Sequence, residues 1–187
     1  MDHYIEIRLL PDPEFAPPML MSAVFAKLHR GLVEHGHGDI GVSFPDVDDK
    51  LATLGPRIRL HGTRDSLARL MHIPWLAGMR DHAAVGAIAP VPPSTRHRVV
   101  RRVQAQSNPE RLRRRLMNRK GIDNASAREA IPESAAERVH LPHVSLASRS
   151  TNQRFRLFIA HQPPQDSPNS GRFTTYGLSA SATIPWF

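Results

Sequence analysis

The spacing of hydrophobic and polar positions changes several times along the first half of the chain. Tyr4-Ile5-Glu6-Ile7-Arg8-Leu9 alternates as a strand does, and Pro11 and Pro13 stop it. From about Pro18 to Glu34 the period lengthens. Met21, Phe25, Leu28 and Leu32 recur at i, i+4, i+7 and i+11, which is one face of a helix, and Gly36 and Gly38 end it. Ile40-Gly41-Val42-Ser43-Phe44 and Arg57-Ile58-Arg59-Leu60-His61 predict two more strands. A short helix near 64–71 leads to Trp75, and a last strand is expected at 83–88. The order β-α-β-β-α-β is that of a ferredoxin-like domain, an α+β arrangement that serves many unrelated functions.

The second half opens on a basic, β-branched stretch at 95–106 and then on a strong helix start, Ser107-Asn108-Pro109-Glu110. Ser107 can cap in a capping box with Glu110, or Asn108 can cap with Pro109 at the first helical position. The helix is expected over about 108–120. A strand follows at 153–160, a polar loop at 162–171, and two C-terminal strands near 172–178 and 183–187. The run Ala89-Pro90-Val91-Pro92-Pro93-Ser94 separates a first domain, 1–94, from a smaller second one, 95–187.

Charge sharpens that division. The 187 residues carry a net charge of +8. Residues 1–94 hold 9 Lys and Arg against 11 Asp and Glu, whereas 95–187 hold 16 against 6. Arginine outnumbers lysine 22 to 3, and its planar, multi-donor cation suits phosphate and base edges, although a GC-rich genome also favours it. A nucleic acid is the partner this balance suggests. With no cysteine, the chain excludes disulfides, thiolate metal sites and thiol nucleophiles. The longest apolar run, 19–26, is closed by Lys27 and His29, and MDHYIEIRLL lacks the basic start of a signal peptide. A soluble, cytoplasmic protein without membrane association is expected.

Within the helix at 108–120, stepping 100° per residue gathers Arg111, Arg114, Arg115, Asn118 and Arg119 into an arc of about 140°, with Leu112 and Leu116 beside it. Such a ridge of guanidinium groups can lie along the phosphates of a nucleic-acid groove; a solvated face or an acidic protein partner remains the alternative. Upstream, Arg102 and Gln104 would share one side of an extended segment. Arginine can donate twice to guanine and glutamine can pair with adenine, although Arg-x-Gln is common in any sequence.

These residues carry a resemblance. Arg102-Val103-Gln104-Ala105 followed by Ser107-Asn108-Pro109-Glu110-Arg111-Leu112-Arg113-Arg114-Arg115-Leu116-Met117 resembles the type I-F CRISPR repeat-RNA endoribonuclease family. The MDHY start, Gly41-Val42-Ser43-Phe44-Pro45-Asp46, Phe155-Arg156-Leu157-Phe158-Ile159, Tyr176-Gly177-Leu178 and Pro185-Trp186-Phe187 extend it from end to end. The resemblance implies a ferredoxin-like domain followed by a domain bearing the arginine-rich helix. It also implies an enzyme that binds the CRISPR repeat stem-loop and cuts at the 3′ base of the stem, without metal or cofactor. The products would be a 2′,3′-cyclic phosphate and a 5′-hydroxyl. The enzyme would stay on the mature guide RNA among the subunits of a type I-F surveillance complex.

By the same resemblance His29 is the general base that deprotonates the attacking 2′-hydroxyl, a task its ordinary pKa of about 6.5 suits. Ser148 would orient that hydroxyl, and Tyr176 would position His29 or the scissile phosphate. Phe155 would stack on the terminal base pair. Arg102 and Gln104 would read bases, and Arg111, Arg114, Arg115, Arg119 and Ser150 would contact the RNA. Residue by residue, blander roles compete: a structural histidine, a turn-capping serine, a core phenylalanine, a tyrosine buried in a strand. Asn118 and Lys120 depart from the family pattern of arginine and histidine, which removes one cationic contact.

Other chemistry finds less support. His35-x-His37 sits in a glycine-rich loop, and His140-x-x-His143 lacks the glutamate of a zincin motif. Two further readings compete with the ribonuclease: a catalytically silent hairpin-binding subunit, and a DNA-binding regulator. The trio His29, Ser148 and Tyr176 favours the enzyme over the first. The absence of a helix-turn-helix pattern counts against the second.

Overall fold

The computed structural model describes residues 1–104, 109–132, 139–148 and 153–187, and of Arg111 the backbone alone. The described residues form a mixed α+β protein of two antiparallel sheets and four helices. They divide into two compact units, Met1–Val103 with Leu141–Phe187, and Gln104–His140. Among the described residues no helix is long and apolar enough to cross a membrane.

In the larger unit, β1 (His3–Leu9), α1 (Pro17–His35), β2 (Gly41–Ser43), β3 (Arg57–Gly62), α2 (Arg64–His72) and β4 (Ala83–Val85) follow the expected order. The sheet runs β2-β3-β1-β4, the ferredoxin-like arrangement. Period-two alternation turns Ile5, Ile7 and Leu9 into the core, and Ile5 and Ile7 stand opposite Leu60 and Ile58 of β3. Onto this layer α1 lays Leu20, Met21, Val24, Phe25, Leu28 and Leu32. Full burial of a side chain such as Phe25 contributes about 1.5–3 kcal/mol. Gly36 ends the helix in the left-handed conformation (φ 74°), its N–H bonded to the Leu32 carbonyl at 3.1 Å.

The strand expected at 83–88 is interrupted. β1 pairs Ile7 with Val85 and Tyr4 with Ala89, the latter in the short β5 (Ala89–Pro90). Three steps along β1 therefore face four along the other strand, which is a one-residue bulge. Gly86 keeps contact by donating its N–H to the Glu6 carbonyl at 2.8 Å.

The second sheet joins β6 (Arg96–Val103), β7 (His143–Ala147), β8 (Arg154–His161) and β9 (Thr183–Trp186) in the order β7-β8-β6-β9. The first half of β6 pairs with β9 and its second half with β8. Val144, Leu157, Ile159 and Ile184 belong to the same core as Phe25 and Phe44. The Gly-Val-Ser-Phe-Pro-Asp motif is structural. A Cβ on Gly41 would lie 2.3 Å from the Ile184 side chain, Ser43 Oγ lies 2.8 Å from His61 Nε2, and Asp46 pairs with Arg57.

Residues 172–178 are a turn and not the expected strand. The Thr174 N–H reaches the Leu178 carbonyl at 2.9 Å and the Gly177 N–H reaches the Thr174 carbonyl at 2.8 Å, with Gly177 at φ +68°. Only glycine adopts that φ without strain, so the Tyr-Gly pair reverses the chain.

The smaller unit pairs α3 (Pro109–Lys120) with α4 (Asn124–Ala130), an element that seven residues without clear periodicity did not announce. Gly121 (φ 66°) closes α3 through its N–H to the Met117 carbonyl, and Asp123 caps α4 by accepting the Ser126 N–H at 2.8 Å. The proposed caps Ser107 and Asn108 lie outside the described residues.

Candidate active site

His29 lies on α1 where the buried face meets solvent. Its ring stacks on that of Tyr176, centroids 4.1 Å apart and 12° from parallel, and Phe25 stacks on the same tyrosine at 6.3 Å. His29 Nδ1 is 2.8 Å from the carbonyl oxygen of Thr175. A carbonyl only accepts, so Nδ1 carries the hydrogen; in the neutral ring Nε2 is then the basic atom. Both restraints come from the 174–178 turn, which hangs on β2 through the Val42 N–H bonded to the Gly177 carbonyl at 2.8 Å. A Cβ on Gly177 would fall 2.2 Å from Val42 Cγ2, so the close approach requires glycine twice over.

A cleft of about 1000 Å³ opens beside His29, and Ser148, Phe155, Tyr176, Arg30 and Trp75 are among its walls. Ser148 follows β7 and closes the β7–β8 connection, its N–H bonded to the Gln153 carbonyl at 2.9 Å. Phe155 stands opposite Leu146 near the start of β8, half-buried, while Leu157 two residues on is fully enclosed. Thus His29, Ser148, Phe155 and Tyr176, assigned from three distant stretches of sequence, line one cavity. Tyr176 sits on a turn and not in a strand, and the sequence reading missed the Thr175 carbonyl and Gly177. The adjacent glycine was the available signal, since an isolated Gly inside a strand pattern points to a bulge or a close backbone approach.

Arg102 is exposed on β6 opposite Ile159, and Gln104 is exposed just beyond the strand. In the smaller unit Arg114, Arg115, Asn118, Arg119 and Lys120 are all exposed along α3. Arg113, which the helical wheel puts on the opposite side from Arg115, is 6% exposed and donates from Nε to the Ile131 carbonyl at 2.7 Å. Ser150 and the side chain of Arg111 lie outside the described residues.

Two histidines are committed to the core. Burial pushes His61 down to about 3, with the Arg59 charge adding to the effect, and burial beside Arg98 does the same to His161. Neither is among the residues lining the cleft beside His29. His35 of the His-x-His pair bonds Asp39 at 2.8 Å, and the His143 ring packs on Phe158.

A ferredoxin-like sheet, a histidine with one nitrogen tied to a backbone carbonyl, and a serine and aromatics around the same cleft make this cleft the candidate active site. Residues 4–187 match the family described as CRISPR-associated protein (Cas_Csy4), and the chain belongs to that family. It is 54% identical to the CRISPR-associated endonuclease Cas6/Csy4 of Pseudomonas aeruginosa (strain UCBPP-PA14), over the full 187 residues and the whole of both chains. It is 48% identical, over the same span and again the whole of both, to the CRISPR-associated endonuclease Cas6/Csy4 of Escherichia coli (strain UTI89 / UPEC).

Proposed function

We propose that the chain is a metal-independent endoribonuclease that binds the CRISPR repeat stem-loop, cuts at the 3′ base of the stem and stays on the mature guide RNA. The observation that carries this reading is the pairing of His29 Nδ1 with the Thr175 carbonyl beside a cleft that Ser148 also lines. Neutral His29 removes the 2′-hydroxyl proton at Nε2 as the 2′-oxygen bonds to the adjacent phosphorus. The bond from phosphorus to the 5′-oxygen breaks, and that oxygen takes up a proton to give a 5′-hydroxyl and a 2′,3′-cyclic phosphate. Such a base is worth about 10²–10⁴-fold. Ser148 holds the 2′-hydroxyl in line, which is a positioning effect and not covalent catalysis.

Phe155 takes the terminal base pair of the stem, where stacking contributes about 1–3 kcal/mol by analogy with single strands. Arg102 and Gln104 read base edges, and Arg114, Arg115 and Arg119, with Arg111 and Ser150, hold the backbone. Residues 1–94 thus supply the base and 95–187 most of the grip on RNA. The strong net positive charge of 95–187 supports that division. Retention on the guide RNA places the protein with other subunits of a type I-F complex in the cytoplasm.

Incubation with the host repeat hairpin in excess EDTA tests the reading, with a matched strand carrying one 2′-deoxy sugar at the cut site. A single cut in the all-ribose strand alone is expected. Tight binding with no cut in either strand would make the chain a silent hairpin-binding subunit.

A further inference from the structure

The cleft extends past the residues assigned to the stem side of the cut. α1 forms its floor. One bank is the end of β7 and the start of β8, where Leu146, Ser148 and Phe155 line the cleft. The other is the segment after α2, where Trp75 packs so close that a Cβ on Gly31 would lie 2.9 Å from its ring, and where Lys27 Nζ is held by the Ala77 carbonyl at 2.6 Å. At 100° per residue, Arg30 projects between His29, about 100° to one side, and Lys27, about 60° to the other. Arg30 is exposed, lines the cleft, and has neither a hydrogen bond nor an ion pair to any described residue.

An exposed guanidinium directly after the catalytic histidine, with no partner among the described residues, sits where an anion crossing the helix floor would meet it. Ser148 and Phe155 occupy the bank given to the stem. The strand beyond the cut therefore has the Trp75 bank left to it, and its phosphates are the anions available there. We infer that Arg30 binds a phosphate of the single strand 3′ of the cut, and so grips the substrate on the side that leaves. Glu34, one turn on and about 40° away round the helix, lines the same cleft and confines the phosphate to the His29 side. The inference rests on the ribonuclease reading and adds a contact present in substrate and absent from the retained product.

Two RNAs test it, one ending a single nucleotide past the cut and one extending eight or so, each also made with a 2′-deoxy sugar at the cut. Arg30→Ala should lower kcat/KM on the long RNA about fivefold, the size expected of an exposed charge-assisted contact, and weaken the long deoxy RNA equally. The short RNA should change by less than about twofold, and Arg30→Lys should restore most of the loss. Equal losses on both RNAs would put Arg30 at the scissile phosphate, and no loss on either would send the leaving strand elsewhere; both overturn the inference. If the unmodified protein cuts neither RNA, the ribonuclease reading fails, while the deoxy binding comparison still decides whether Arg30 holds the extension.

Discussion

Gly177→Ala tests whether the turn at 174–178 is what holds the histidine. The new Cβ would lie 2.2 Å from Val42 Cγ2 and 3.0 Å from Val42 Cβ, at a backbone φ of +68°. The left-handed conformation costs about 1–2 kcal/mol for a residue with a Cβ. Overpacking adds about 1–3 kcal/mol, because Val42 is fully buried and has no room to retreat. A loss of about 2–5 kcal/mol in urea unfolding is expected. Val42→Ala removes the 2.2 Å contact and leaves the 3.0 Å approach to Cβ and the strained φ, so Gly177→Ala with Val42→Ala should fall short of the sum of the singles by about 1–3 kcal/mol. The same variant moves the Thr175 carbonyl and the Tyr176 ring, so single-turnover cleavage should slow about tenfold to a hundredfold while hairpin affinity holds. Additive stabilities would refute the clash with Val42. Full cleavage rate in a destabilised variant would show that the turn does not position His29.

Other expectations follow from the same contacts. His29→Ala should abolish cutting and leave hairpin binding nearly intact, measured by single-turnover cleavage and gel shift; equal loss of both would make His29 structural. Tyr176 meets His29 through its ring face, so Tyr176→Phe should cut at nearly the native rate and Tyr176→Ala far more slowly; the reverse order would assign the work to the hydroxyl. His61 and His161 are depressed to about 3 in the fold and return to about 6.5 when unfolded. Below pH 6.5 the unfolded chain binds more protons, so stability falls as pH drops toward 3, by about 2 kcal/mol for each histidine at pH 5. Urea melts at pH 7.5 and 5.0 should show it, and His161→Leu, which removes two buried ring nitrogens that lack partners among the described residues, should roughly halve the difference. Arg115→Ala should reduce the slope of log affinity against log salt by about 0.7–0.9, and an unchanged slope would take that side chain off the RNA.

The elements visible in the sequence were those with enough residues to show a period. α1 declared itself through Met21, Phe25, Leu28 and Leu32, and β1 through Ile5, Ile7 and Leu9. β7 did not, because Val144 and Leu146 are its only buried residues and a single alternation is no pattern. The strand expected at 83–88 reads as continuous in the sequence because a bulge changes register and not composition. The sequence predicts a strand over 172–178 because Phe173 and Tyr176 are strand formers, while Gly177 argues the other way.

Pattern and charge along the chain were sufficient for the ferredoxin-like order, the basic second half and the arginine face of α3, because these depend on neighbours a few residues apart. End-to-end resemblance added the assignment of His29, Ser148, Phe155 and Tyr176. The orientation of His29 lay beyond either. Its Nδ1 is set by a carbonyl 146 positions away, and that carbonyl is set by a glycine pressed against a strand from the opposite end of the chain. Which nitrogen is basic, and that Arg30 stands beside it with no partner among the described residues, are properties of backbone groups and empty space brought together by packing, and side-chain identity does not encode them.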